Sequence, residues 1–154
     1  MRTRTVGWLL LSTVVAWSVA GCCGDLVEKA TQKAAEKAIE KATEGDASVS
    51  LGGNADISDL PEKFRYPGAT SKAKVNSNGP QGANTVFLLE SSDPGPKVRA
   101  HYGAITGFKQ TNKSEINEML SVVYEVSPGE TYTITVTPGS PMTSIVITRM
   151  KKGS

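Results

Sequence analysis

Strict alternation of threonine with apolar residues over residues 131–137 is the feature that most constrains the fold of this chain. The segment reads TYTITVT, and side chains along a β-strand point alternately to opposite faces of a sheet. We therefore expect Tyr132, Ile134 and Val136 to be buried and the four threonines to form a ladder on the other face. A slip of one residue would exchange the two rows, so the alternation also specifies the register.

Other strand-like segments surround this one, with turn-forming residues between them. These segments are 69–76, 84–90, 108–112, 120–126 and 143–151. Asn78-Gly79 is a hairpin turn signal between the first two. Proline and glycine in 127–130 and 138–141 separate segment 131–137 from 120–126 before it and from 143–151 after it. Short turns make neighbouring strands antiparallel, so the pattern predicts an antiparallel sheet.

One short helix is expected between the second and third of these segments. Val98, Tyr102 and Ile105 recur at i, i+4 and i+7, which places them on one side of a helix, and Gly107 is expected to end it. The order is two strands, a helix, and three or four strands. This order predicts an α+β domain over residues 69–154, with a small antiparallel sheet and one helix packed on one face.

An irregular lead-in, residues 47–68, precedes this domain. Residues 47–51 alternate and are either a strand or part of a linker, whereas the following segment is rich in turn formers. Core packing is the default expectation for the aromatic residues of the chain. The alternative is that Phe64 and Tyr66 stay open and form a partner surface together with the threonine face of the sheet.

Residues 22–46 are expected to form a charged helical stalk in front of the lead-in. Residues 25–44 contain the tetrads EKAT, QKAA, EKAI and EKAT, which are made of strong helix formers without internal glycine or proline. A solvated helix about 30 Å long would hold the domain away from its attachment point. Alternatively, its alanine-rich side pairs with another helix or lies on a membrane surface. The absence of a heptad seam disfavours a coiled coil.

Catalytic and metal-binding motifs are not recognised in the sequence. His101 is the single histidine, and no nucleophile, carboxylate or metal ligand is placed beside it by a known motif. Asn54, Asp56 and Ser58 alternate like the first ligands of a calcium loop, but the central glycine and the final glutamate are missing. We therefore expect no enzyme activity, no cofactor and no metal; the alternative is a hydrolase with an unfamiliar site around His101.

The first 21 residues have the layout of an export signal. Arg2 and Arg4 precede an apolar run over residues 6–20, which as a helix would cover only about 22 Å of a hydrocarbon layer about 30 Å thick. The run ends in Val19-Ala20-Gly21-Cys22, which resembles the lipobox of bacterial lipoproteins. The resemblance implies cleavage between Gly21 and Cys22 and attachment of palmitate-type acyl chains at Cys22. Two or more chains make a durable membrane anchor.

The same resemblance implies a place in the bacterial cell envelope. Cys23, and not aspartate, follows the expected lipidated residue, which favours the periplasmic face of the outer membrane if the host is Gram-negative. Removing Arg2 and Arg4 leaves fifteen basic side chains against fifteen acidic ones, so charge does not indicate a nucleic-acid partner. We expect a non-catalytic binding or structural domain with a possible envelope protein as partner. The alternative is an assembly accessory that offers an edge strand, such as the last one, to another protein.

Overall fold

The computed structural model describes residues 36–37, 47–53, 55–79 and 82–153. Of the expected helix over residues 25–44, it describes Glu36 and Lys37, which are helical. The expectations for the signal peptide, its cleavage site and Cys22 lie outside the described residues.

The described part of the chain forms one antiparallel sheet of seven strands with a helix, α1, on one face. In the sheet the strands lie in the order β1-β2-β3-β7-β6-β5-β4. The elements are β1 (Ala47–Leu51), a 3-10 turn (Glu62–Phe64), β2 (Thr70–Gly79), β3 (Gly82–Ser91), α1 (Gly95–Gly103), β4 (Lys109–Ile116), β5 (Met119–Ser127), β6 (Glu130–Thr137) and β7 (Thr143–Lys152). The predicted small antiparallel sheet with one packed helix is confirmed. Within the described ranges, we find no helix with both the length and the apolar character needed to span a bilayer.

The last strand is central, not an edge. β7 pairs with β3 on one side and with β6 on the other, so the expectation that it offers a free edge is wrong. The connection through α1 takes the chain from β3 to β4, which lies at the edge of the sheet opposite β1. The strands then return inward until β7 fills the place beside β3. The two edges are β1 and β4.

The core lies between α1 and the face of the sheet on which α1 packs, called here the inner face. The predicted alternation in β6 is confirmed, because Tyr132, Ile134 and Val136 are buried, whereas the threonines between them are only partly buried. From α1, Val98 and Tyr102 are fully buried. These side chains remove a contiguous apolar area from water, which is the main force that holds α1 on the sheet.

The helix and its following strand differ in extent from the prediction. α1 ends at Gly103 and not at Gly107, so Ile105 lies beyond the helix, where it packs partly buried against the core. The segment expected to end at residue 112 continues as β4 to Ile116.

The lead-in belongs to the domain, so the boundary expected at residue 69 is too late. Residues 47–51 form β1, which pairs with β2. Leu60 and Phe64 are fully buried in the core. The carboxylate of Asp59 accepts a 2.7 Å bond from the ammonium of Lys74 in β2, which ties the lead-in to the sheet.

Candidate functional site

Phe64 and Tyr66, the two residues expected to form an open partner surface, are buried. Phe64 is fully buried and Tyr66 is 6% exposed. The ring of Phe64 lies 4.8 Å from the ring of Tyr132 and 5.0 Å from the ring of Phe108, measured between centroids. The prediction of a partner surface at these residues is therefore wrong: the 3-10 turn directs Phe64 into the core, where burying an aromatic ring is most favourable.

Tyr66 anchors a polar group at the start of α1. Its hydroxyl donates a 2.8 Å hydrogen bond to Asp93, and the ammonium of Lys97 lies 3.0 Å from the other carboxylate oxygen of Asp93. Burial and the bond to Asp93 raise the pKa of Tyr66 to about 12. The bonds from Tyr66 and Lys97 lower the pKa of Asp93. At neutral pH the phenol is therefore protonated and the carboxylate is ionised.

His101 lies on α1 between two tyrosines. Its ring packs edge to face against Tyr66 and Tyr102, with centroid distances of 5.0 and 5.1 Å. Burial lowers the pKa of His101, so the ring is neutral at pH 7. The Nε2 atom is buried, and the described part of the chain offers it no hydrogen-bond partner.

Among the described residues, the rings that pack against His101 are those of two tyrosines. Within the ranges described, His101 makes no side-chain hydrogen bond to a carboxylate or hydroxyl group. General base catalysis needs the imidazole within hydrogen-bonding reach of the proton that it removes. The observed contacts are those of an aromatic residue in packing, and they bring together Tyr66 and His101, which the sequence had not associated.

Strand β4 is the most accessible element of the sheet. All eight of its residues are exposed, and it pairs on one side only, with β5. Its hairpin with β5 has a two-residue turn, so Ile116 and Met119 form a hydrogen-bonded pair. Along β4, the backbone groups of every second residue bond to β5, and those of the residues between point away from β5. By this alternation the backbone N–H and C=O groups of Lys113 and Glu115 point to the free edge. They are able to accept an added strand.

A groove of about 420 Å³ separates β4 from α1. Arg99 and Gly103 line it from the helix, and Lys113 and Glu115 line it from the strand. Lys113 and Glu115 form an ion pair of 3.3 Å, whereas no ion pair of Arg99 occurs among the residues described. The groove therefore carries a net positive charge next to unpaired backbone groups.

The β4–β5 turn adds an apolar tip to this edge. Ile116 is 60% exposed and Met119 is 37% exposed. Sequence reasoning missed this site because the turn residues are Asn117 and Glu118, which lack the glycine typical of such hairpins. Both have positive φ, 49° and 66°. The exposed Ile116 could have been noticed only once the turn was recognised.

Asp56, considered for a calcium loop, is part of a local turn. Its carboxylate accepts a 2.8 Å hydrogen bond from the backbone N–H of Ser58, which lowers the pKa of Asp56. Aspartate favours such turns because its side chain bonds to its own backbone two residues on. Over the described parts of the chain, no three histidine, cysteine, aspartate or glutamate side chains are grouped as metal ligands would be.

Comparisons of the chain with protein-family models, with curated proteins and with solved structures find no match.

Proposed function

We propose that this chain is a lipid-anchored protein of the bacterial cell envelope whose domain binds an extended segment of another protein at the free edge of β4. The proposal makes it a binding or assembly protein and not an enzyme. The observation that carries the binding role is that all eight residues of β4 are exposed beside the basic groove. The lipid anchor is supported by the sequence of residues 19–22.

The geometry at β4 suits one added strand. Outward N–H and C=O groups of Lys113 and Glu115 supply backbone hydrogen bonds, and side chains of the added strand would enter the groove beside α1. Backbone bonds of this type provide affinity, and the pockets for alternate side chains provide specificity. Arg99 favours a carboxylate at the position of the partner that faces it.

The edge also carries features that limit unselective pairing. A register shift between Gln110 and Asn112 marks a β-bulge, and lysines occur at 109 and 113. Bulges and lysines on edge strands hinder pairing with arbitrary chains. The partner strand is therefore expected to lie along residues 112–116, beyond the bulge.

A backbone-specific substitution tests the binding role. Lys113→Pro removes the outward N–H, and an edge strand tolerates proline where its N–H faces solvent. Lys113→Thr is the matched control because it changes the same side chain and keeps the N–H. After crosslinking of the anchored protein in intact cells, we expect the partner recovered with wild type and Lys113→Thr to be lost with Lys113→Pro.

The comparison is interpreted only if the variants unfold at similar temperatures. Equal recovery of one partner with Lys113→Pro and wild type would show that the β4 edge is not the binding element. Recovery of no specific partner with wild type would also contradict the proposal.

A separate experiment tests the anchor. The native protein is expected to partition into the detergent phase, and mass spectrometry of its N-terminal peptide should show the added mass of a diacylglycerol at Cys22. The Cys22→Ala variant is expected to lack this lipid. Cys23→Ala is the control that should keep the lipid. An unmodified Cys22 in the processed wild-type protein would contradict the anchor and leave the domain argument unaffected.

A further inference from the structure

The sheet face opposite α1, called here the outer face, has an apolar half. Two cross-strand rows run over it. On β1, β2, β3 and β7, their apolar members are Val49, Leu51, Ala73, Val75, Val86, Leu88 and Val146. On β6, the two rows continue with Thr133 and Thr135. Aliphatic side chains in adjacent positions of an uncovered sheet face are unfavourable in water.

The two edges of the sheet differ in how well this face is covered. On β4, every residue is exposed, including Ile116 on the outer face. On β1, Val49 and Leu51 of the outer face are partly buried, while Ser48 and Ser50 of the inner face are exposed. The outer side of β1 is therefore better covered than its inner side, and a segment of the chain that lies near β1 would account for the difference.

Glu36 identifies the segment concerned. Its carboxylate accepts a 2.6 Å hydrogen bond from the backbone N–H of Leu51, the group that points away from β2. Glu36 is partly buried and Lys37, the next residue, is exposed. Of these two helical residues, Glu36 thus contacts the free edge of β1, whereas Lys37 faces water.

The sequence around Glu36 has an apolar side in the required direction. Successive residues of a helix are separated by about 100°, so Ala35 lies roughly opposite Lys37. Ala38, Ile39 and Ala42 fall within about 60° of Ala35. With Thr31, these positions follow the spacing i, i+4, i+7, i+8 and i+11 that is typical of a helix packed on one side. Alanine is small, which permits a close approach to the sheet.

We propose that the alanine-rich segment around Glu36, extending to Ala42, packs as a helix on the apolar half of the outer face and closes the β1 edge through the Glu36–Leu51 hydrogen bond. The segment is then part of the folded domain instead of a solvated stalk. It leaves β4 as the open edge of the sheet. The inference depends neither on the lipid at Cys22 nor on a partner at β4.

Hydrogen exchange of the full-length protein in detergent tests the proposal with a matched pair of variants. Ala38→Asp places a carboxylate against the outer face, and Lys37→Asp places the same side chain on the exposed side of the same helix. We expect exchange at the Leu51 amide to be about tenfold faster in Ala38→Asp, because the hydrogen bond to Glu36 is lost. Lys37→Asp should exchange like the wild type. Circular dichroism checks that both variants retain the same helical content.

Four outcomes would overturn the inference. If both variants exchange like the wild type, the helix does not cover the face; if both exchange faster to the same degree, only helix stability matters. Protection of Leu51 that depends on protein concentration would instead assign the contact to a second copy of the chain. Glu36→Ala should accelerate exchange at Leu51 as Ala38→Asp does, and a protected Leu51 amide in Glu36→Ala would also contradict the proposed contact.

Discussion

The hydroxyl of Tyr124 on β5 donates a 2.7 Å hydrogen bond to the backbone carbonyl of Tyr102 in the last turn of α1. The hydroxyl of Tyr102 in turn donates a 3.0 Å bond to the carbonyl of Phe64 in the lead-in. Burial raises the pKa of both tyrosines, which keeps each phenol protonated and able to donate. Two buried bonds thus join the sheet, the helix and the lead-in.

The first of these bonds should be measurable in the free energy of unfolding. Tyr124→Phe removes the donor and leaves the buried carbonyl of Tyr102 without it, at a cost of about 1–3 kcal/mol. Tyr132→Phe is the control, since its hydroxyl bonds to the side chain of Glu130 at 3.2 Å in a partly buried setting. Urea unfolding should show a larger loss for Tyr124→Phe. Equal losses would mean that the Tyr124–Tyr102 bond stabilises the fold no more than the Tyr132–Glu130 bond does.

The two faces of β6 should respond differently to a new charge. Val136 is fully buried, and Val136→Asp should cost about 3 kcal/mol or more because the carboxylate loses its water without gaining a partner. Thr135→Asp places the same group on the outer face and should cost clearly less. Thermal unfolding of the two variants measures the difference. A Val136→Asp protein that melts within a degree of the wild type would contradict the assignment of the inner face.

The β4–β5 turn offers a stabilising substitution. Glu118 has a φ of 66°, a left-handed conformation that glycine adopts without steric cost. Glu118→Gly should therefore raise the free energy of unfolding by about 0.5–1 kcal/mol. Glu115→Gly, in the extended strand before the turn, should lower it by a similar amount. Urea unfolding that ranks these two variants in the opposite order would contradict the turn conformation.

Stability should decrease in mildly acidic solution through His101. Its pKa is lowered from 6.5 by burial, so the unfolded chain binds a proton at a higher pH than the folded chain. The stability associated with the neutral ring is thus present above pH 6.5 and decreases as the pH falls below it. His101→Gln should flatten the unfolding free energy between pH 7 and the lowered pKa. A variant as pH-dependent as the wild type would assign the effect to other groups.

The lowered pKa values of Asp56 and Asp93 affect the stability of the fold at a lower pH than that of His101 does. Each starts from 3.8, so the stability that these carboxylates contribute is present above that value and is lost as the pH falls further. As the pH falls, the histidine effect should therefore begin at a higher pH than theirs. Tyr66 acts in the opposite direction: its pKa is raised from 10.0 to about 12, so its contribution is lost as the pH rises through this range.

Local patterns predicted the faces of individual elements well. The alternation in β6 is reproduced by buried Tyr132, Ile134 and Val136, because side-chain direction in a strand depends only on neighbouring backbone geometry. Val98 and Tyr102 are buried for the same reason on α1. The β4–β5 turn was missed because Glu118 stands where glycine is typical, and Asn117 by itself is a weak hairpin signal.

Burial of the lead-in could not be read from its composition. Turn-forming residues around Phe64 and Tyr66 favour an irregular path, but irregular backbone is compatible with either an open or a buried side chain. The outcome depends on contacts with Tyr132 and Phe108, which are far away in the sequence. Such contacts cannot be inferred from local propensity.

By itself, the sequence determined which segments form strands, which side of each strand is apolar, and the expectation of a lipid anchor at Cys22. Only the tertiary structure decided that β7 lies in the centre, that β4 has an open edge, and that β1 meets Glu36. The physical reason is the range of the interactions involved. Side-chain periodicity follows from the geometry of adjacent residues, whereas strand order is selected by the total apolar area that distant segments bury together.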